Sequence, residues 1–234
     1  MNIKHFLIVA SLFMSALTSG QAVGADENNG TANKAKKGMF LYTPPSLGAP
    51  ATRVGGGTRG VSGEQARVLV LAPDHTGLTT RAQPTLYWYQ SLPTDNDIEI
   101  TIVDDNEINP LLEKVIHSSK KTGIHSVSLA KLGVTLKKDI EYRWFVALIP
   151  DKKHRSNDII TGGTIMLVDE TRLGARIPAR STTAEQAAAL AKSGIWYDAI
   201  DALSTEINKT GNVQLKNVRA ELLTQVGLGE AVGK

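Results

Sequence analysis

Ile140-Glu141-Tyr142-Arg143-Trp144-Phe145-Val146-Ala147-Leu148-Ile149 is a run without Gly or Pro, dominated by aromatic and β-branched side chains. Its even positions Tyr142, Trp144, Val146 and Leu148 are apolar, and so are the odd positions Phe145, Ala147 and Ile149. Successive strand residues point to opposite faces. A strand apolar on both faces has neighbours covering both, so this run is expected to be the central strand of a sheet. Six more strand-like runs surround it: Arg67–Ala72, Thr85–Gln90, Asp97–Val103, Leu111–Ser118, Ile124–Ala130 and Ile159–Val168. In the third of the chain's seven, Ile98, Ile100 and Ile102 alternate with polar residues, the mark of one buried and one wet face. Asp104-Asp105-Asn106 and Lys120-Lys121-Thr122-Gly123 have turn composition, and the second is expected to connect a hairpin. Gly162-Gly163 suggests a bulge or a close backbone approach. Seven short strands without intervening helix predict a mainly β domain over residues 67–168, an antiparallel sandwich of immunoglobulin-like type with Trp88 and Trp144 in its core.

Beyond Val168 the hydrophobic period lengthens. Thr182 and Glu185 stand at capping-box spacing ahead of a helix with an Ala184/Ala187/Ala188/Ala191 face, ended by Gly194. Trp196, Ile200, Leu203 and Ile207 form a second helical stripe, stopped by Gly211. Leu215, Val218, Leu222 and Val226 repeat it up to Gly227. Residues 169–234 are therefore an α tail containing a short tetratricopeptide-like helical hairpin, too short for a solenoid. Such a tail docks on the sandwich or on a partner.

At the other end, Lys4-His5 followed by an apolar run from Phe6 to Leu17 and small residues up to Ala25 describe a secretory signal peptide over residues 1–25. The run is shorter than the roughly 20 residues of a membrane span. Cleavage after Gly20, Ala22 or Ala25 fits, leaves no transmembrane segment, and makes the protein exported, periplasmic or extracellular. Residues 26–41 read as a disordered leader, and residues 42–66 as a Pro/Gly-rich extended segment. The latter holds Arg53-Val54-Gly55-Gly56-Gly57-Thr58-Arg59-Gly60, which formally fits a dinucleotide pattern. That pattern works only between a strand and a helix, which the flanking sequence lacks. Arg53, Gly55, Gly56, Gly57 and Arg59 could instead form a backbone nest for a small anion; a tight structural turn is the simpler account.

The chain has no cysteine, which excludes thiol chemistry, sulfur-ligated zinc and a lipoprotein anchor. A net charge of +3 without a concentrated basic run gives no support for nucleic-acid binding. No nucleophile elbow, zinc-protease helix or P-loop is present, so no catalytic residue, metal or cofactor is assigned. Lesser candidates are His117 and His125 facing each other across a hairpin, Asp74-His75 with Ser62 as a hydrolytic set, the Asp104–Glu107 acidic turn, and the Lys152–Arg155 loop tip.

Together these landmarks resemble the domain of unknown function 928 family, whose members are mostly exported proteins of cyanobacteria and other Gram-negative bacteria. The matching pieces are Tyr42–Pro45 with Gly48-Ala49-Pro50, Arg53–Gly60, Gly77-Leu78-Thr79-Thr80 with Pro84-Thr85, Val127-Ser128-Leu129, Tyr142-Arg143-Trp144, Arg155-Ser156 and Gly194-Ile195-Trp196-Tyr197-Asp198-Ala199. Some members carry a Cys after the glycine run and another after the central strand; Val61 and Pro150 stand there in this chain. The resemblance implies fold and compartment, and brings no chemistry with it. The expectation is a non-enzymatic binding or assembly protein touching an envelope protein through Trp196 and Tyr197 on its tail. The alternative is an envelope enzyme or small-anion binder using the Arg53–Arg59 loop.

Overall fold

The computed structural model describes residues 40–46, 53–55, 66–104, 108–169, 171 and 181–232. The signal peptide, most of the leader, and Gly56, Gly57, Arg59, Ser62 and Asp105–Glu107 lie outside the described residues. Among the described residues the chain is mainly β, with two sheets and three C-terminal α-helices. Its strands are β1 (Val68–Val70), β2 (Gly77–Thr79), β3 (Thr85–Gln90), β4 (Asp97–Asp104), β5 (Leu112–His117), β6 (Gly123–Ser128), β7 (Glu141–Ile149) and β8 (Ile159–Leu167). The helices are α1 (Thr183–Lys192), α2 (Trp196–Thr210) and α3 (Val213–Gln225). One sheet has the order β2-β8-β7-β4-β5 and the other β1-β3-β6.

β7 does sit inside the larger sheet, between β8 and β4. Tyr142, Trp144, Val146 and Leu148 are buried on one face. Its other face is covered only in part: Arg143 is exposed and Phe145 half-buried, while Ala147 and Ile149 are buried. β4 alternates as its isoleucines require, with Ile98, Ile100 and Ile102 all buried. These faces share one hydrophobic cluster with Val68, Val70, Leu86 and Trp88 of the smaller sheet.

Two expectations are corrected. Among the described residues there are eight strands instead of seven, because the three residues Gly77-Leu78-Thr79 pair parallel with β8, so the larger sheet is mixed. Three residues after Pro73 are too few to show a period. The Lys120–Gly123 connection is also no hairpin within a sheet: β5 pairs with β4 and β6 with β3, so the chain crosses from one sheet to the other. Turn composition dictates reversal, not the strand that is met next.

Gly162-Gly163 is a close approach without a bulge, since the β7–β8 register runs unbroken through Trp144↔Gly163 and Phe145↔Gly162. A Cβ on Gly162 would lie 2.4 Å from the Phe145 ring, and one on Gly163 would lie 2.4 Å from the Ala72 methyl.

The helices begin and end where their caps dictate. Thr182 and Glu185 form the reciprocal capping box of α1. Gly211, at φ 67°, caps α2 in the left-handed region that L side chains avoid. Asn212 Oδ1 accepts from Leu215 N at the start of α3. The tail docks on the two sheets: Trp196, Ile200, Leu203, Leu222 and Leu223 belong to the same hydrophobic cluster as both. Among the described residues no helix is long and apolar enough to cross a membrane.

Candidate functional site

Tyr42–Pro45, Gly77–Thr80, Trp144 and Gly194–Asp198, scattered through the sequence, converge where α2 meets the sheets. Trp196 and Tyr197 are buried there instead of standing on an open docking surface. Trp196 Nε1 donates to Leu71 O at 2.8 Å, and the Tyr42 and Trp196 rings meet in a T-shaped contact with centroids 4.9 Å apart. Tyr197 Oη accepts from Trp144 Nε1 and donates to Thr164 O, both at 2.8 Å. Burial pushes this phenol far above its ordinary pKa, so it stays neutral. Gly77 is bare because a Cβ there would meet the Tyr197 ring at 2.6 Å. Gly194, at φ 78°, lies against Pro45 and Thr43, and Thr43 N donates to Ala191 O.

In the first two turns of α2, Asp198 and Asp201 clamp the helix to the sheets. Asp198 is buried and accepts from Thr79 Oγ1 at 2.6 Å, Thr80 N at 3.0 Å and Thr80 Oγ1 at 2.5 Å. Asp201 accepts from Tyr87 Oη at 2.8 Å and pairs with Arg81. Buried carboxylates held this way have their lone pairs filled by protein donors, so they fix geometry and are not open to a substrate. Expected on a docking surface, Trp196 is instead buried, and its place in the stripe Trp196, Ile200, Leu203, Ile207 is the signal that points it inward. Nothing in the sequence marked Asp198 and Asp201 as buried.

The other candidates are equally engaged. Arg53 Nη1 donates to Ala72 O and Val226 O, both at 3.0 Å, and Nη2 approaches Gly227 O. It therefore caps carbonyls past the end of α3, where a cation is favoured, and does not turn toward an anion. Val54 exchanges backbone hydrogen bonds with Gly162, extending the outer edge of β8 beside β2, and Gly55 has open space around its Cα. His75 lies 2.7 Å from Tyr42 Oη and 3.2 Å from Asp74 Oδ1. An imidazole protonated at Nδ1 serves both, accepting from the phenol. Tyr42 is buried with its pKa raised by desolvation first and Asp74 second, which leaves it a poor nucleophile.

His117 and His125 belong to different sheets. His117 is 2.8 Å from Asp97, which Lys152 also reaches, and these partners hold the Asp97 carboxyl below its usual range. His125 stacks on Trp88, with burial pulling its pKa down. Arg155 folds back on Glu99 and Asp158. Among the described residues no group of three or more His, Asp or Glu side chains could hold a metal.

Two regions are left open. The first is β5, the outermost strand of the larger sheet, with Ile108 fully exposed ahead of it and Leu111 and Val115 42 and 47% exposed. The second is the outer face of the smaller sheet, which α2 and α3 cross without sealing; a chain of clefts remains between them.

A search of curated proteins finds no match to the chain. The family described as Domain of Unknown Function (DUF928) matches over residues 54–234, which takes in β1–β8 and all three helices. The chain belongs to the domain of unknown function 928 family.

Proposed function

We propose that this protein is an exported, non-enzymatic binding or assembly module of the cell envelope, acting through protein–protein contacts, and that β5 is its contact edge. The observation that carries the reading is the distribution of exposed apolar side chains. Of the seven large hydrophobics exposed among the described residues, Ile108, Leu111 and Val115 fall on or just before β5. The outer backbone groups of that strand meet no other strand among the described residues. An unpaired edge flanked by apolar side chains is the arrangement by which sheets accept another chain's strand. Export rests on the N-terminal pattern of charge, apolar run and small residues.

An immunoglobulin-like reading of the sandwich is supported by its strand order. β4, β5, β7 and β8 lie in one sheet and β1, β3 and β6 in the other, as the C, C′, F, G and A, B, E strands do in that fold. A tetratricopeptide-like reading of α1 and α2 is supported by the tight Gly194 turn between them and their mutual packing.

The test uses the full chain, tagged and made in its native envelope, with a photo-crosslinking amino acid at Val115 or, as control, at the exposed Lys153. A reproducible protein adduct from Val115 that is weak or missing at Lys153, and that V115K in an adjacent-label design abolishes, is the expected result. Equal labelling from both positions, or none, overturns the contact edge. Sequencing the mature N-terminus tests signal cleavage separately: a chain starting at Met1 refutes it and favours a membrane-tethered protein with an uncut signal.

A further inference from the structure

In the gap between the helices and the smaller sheet, Tyr87 pairs with Ser126 and Tyr89 with Ile124 across β3 and β6, forming the floor. α2 and α3 form the walls. Three adjoining clefts of about 530, 370 and 390 Å³ follow one another along it. The middle one is lined by Tyr87, Ser126, Ser204, Asn208, Lys216 and Arg219 among others, and by no carboxylate. The 390 Å³ cleft beside it shares Lys216 and Arg219 but is otherwise largely apolar, through Ile124, Val213, Leu223 and Val232.

Arg219 is the anomaly. Arg67, Arg81 and Arg155 each pair with a carboxylate, and Arg53 with backbone carbonyls. Arg219 is partly buried, yet its hydrogen bond is to the neutral Ser204 Oγ at 3.0 Å. Desolvation lowers its pKa; the Tyr87 phenol, itself hydrogen-bonded to Asp201, opposes that shift in part, and no carboxylate pairs with the guanidinium directly. A desolvated guanidinium without a counter-charge is unfavourable, and its fork of N–H donors matches the paired oxygens of a carboxylate or phosphate. Lys216 stands one turn before it on the same face of α3. Among the described residues, the side chains of Lys216, Ser126 and Asn208 have no hydrogen-bond partner.

We propose that this groove is a binding site for a small organic oxyanion, its carboxylate or phosphate held by Arg219 and Lys216 and its apolar body in the adjoining cleft. The clefts have the size of small-molecule sites. The site shares no residue with the β5 edge, so it stands or falls independently of that contact.

Titration calorimetry on the full chain tests it with hexanoate and phenyl phosphate as probes, against acetate, inorganic phosphate and hexanol. Saturable binding of hexanoate or phenyl phosphate, at least about tenfold tighter than the matching small ion, and no binding of hexanol are expected; which acid binds more tightly distinguishes carboxylate from phosphate. R219M, checked for native circular dichroism, should weaken that binding at least about tenfold. Should R219M fail to fold, K216M at an exposed position should still weaken it about threefold or more. The proposal is overturned if neither acid binds saturably, if hexanol binds as well as hexanoate, or if the variants leave affinity unchanged.

Discussion

Removing a single oxygen tests whether the helices and sheets are one cooperative unit. In Tyr197→Phe the ring keeps its place over Gly77, so packing is conserved. Two buried partners lose their mate: the Trp144 indole N–H and the Thr164 carbonyl, each 2.8 Å from the phenol oxygen. Leaving a buried donor or acceptor unsatisfied costs about 1–3 kcal/mol. The carbonyl has a second lone pair and β-sheet neighbours, so its share lies at the low end, and about 2–4 kcal/mol is expected for the pair. For a chain of this size that is a fall in Tm of roughly 5–15 °C. The assay is urea unfolding followed by far-ultraviolet circular dichroism, which reports helices and strands together. Trp144→Phe and the double variant complete a cycle whose coupling energy isolates the Trp144–Tyr197 bond. A single shifted transition with unchanged slope is expected. A loss below about 0.5 kcal/mol, or a helical transition separating from the sheet transition, would refute the view that the junction holds the fold together.

Three further outcomes follow from the same geometry. Gly77→Ala drives a methyl into the Tyr197 ring at 2.6 Å and should cost about 1–3 kcal/mol in urea unfolding; a neutral result would mean the ring yields freely. Truncation after Val168 removes Trp196, Ile200, Leu203, Leu222 and Leu223 from the shared cluster, so the remaining chain should show no cooperative thermal transition and fast amide exchange; a sharp transition would show that the sandwich folds alone. Burial holds the His125 imidazole below its ordinary pKa, so the folded chain prefers it neutral. The unfolded chain protonates first as pH falls through about 6.5, so the stability present above that pH should decline below it. His125→Phe, which keeps an aromatic ring on Trp88, should flatten the slope between pH 7.5 and 5.5; parallel curves for both proteins would remove His125 as its source.

The strands legible in the sequence were those with enough length to show a period. Isoleucines at 98, 100 and 102 fix both the strand and its buried face, and seven expected runs match observed strands to within about two residues at each end. Helix boundaries were legible because caps are local chemistry: Thr182 with Glu185, then Gly211. What resisted reading was long-range. Pairing of Gly77–Thr79 with β8 depends on residues about ninety positions away. Arg53 looked like an anion ligand because its neighbours are glycines; its partners at Val226 and Gly227 are remote in sequence. Arg219 gave no sequence signal at all, since one basic residue on a polar helix is ordinary until burial and missing counter-charge are seen together.

The hydrogen bonds between Phe40–Tyr42 and Gln225 carry a consequence for the order of events in the cell. Gln225 donates to Phe40 O and accepts from Tyr42 N, joining positions 185 and 183 residues apart. A ribosome adding 5–20 residues per second needs about 10–40 s to make the second half of that clasp after the first. For this whole interval the nascent chain lacks α3, its first described segment has no anchor there, and the shared cluster is incomplete. Native closure therefore waits for α3. A chain that cannot lock before that helix is made stays unlocked through the synthesis of both sheets and the first two helices.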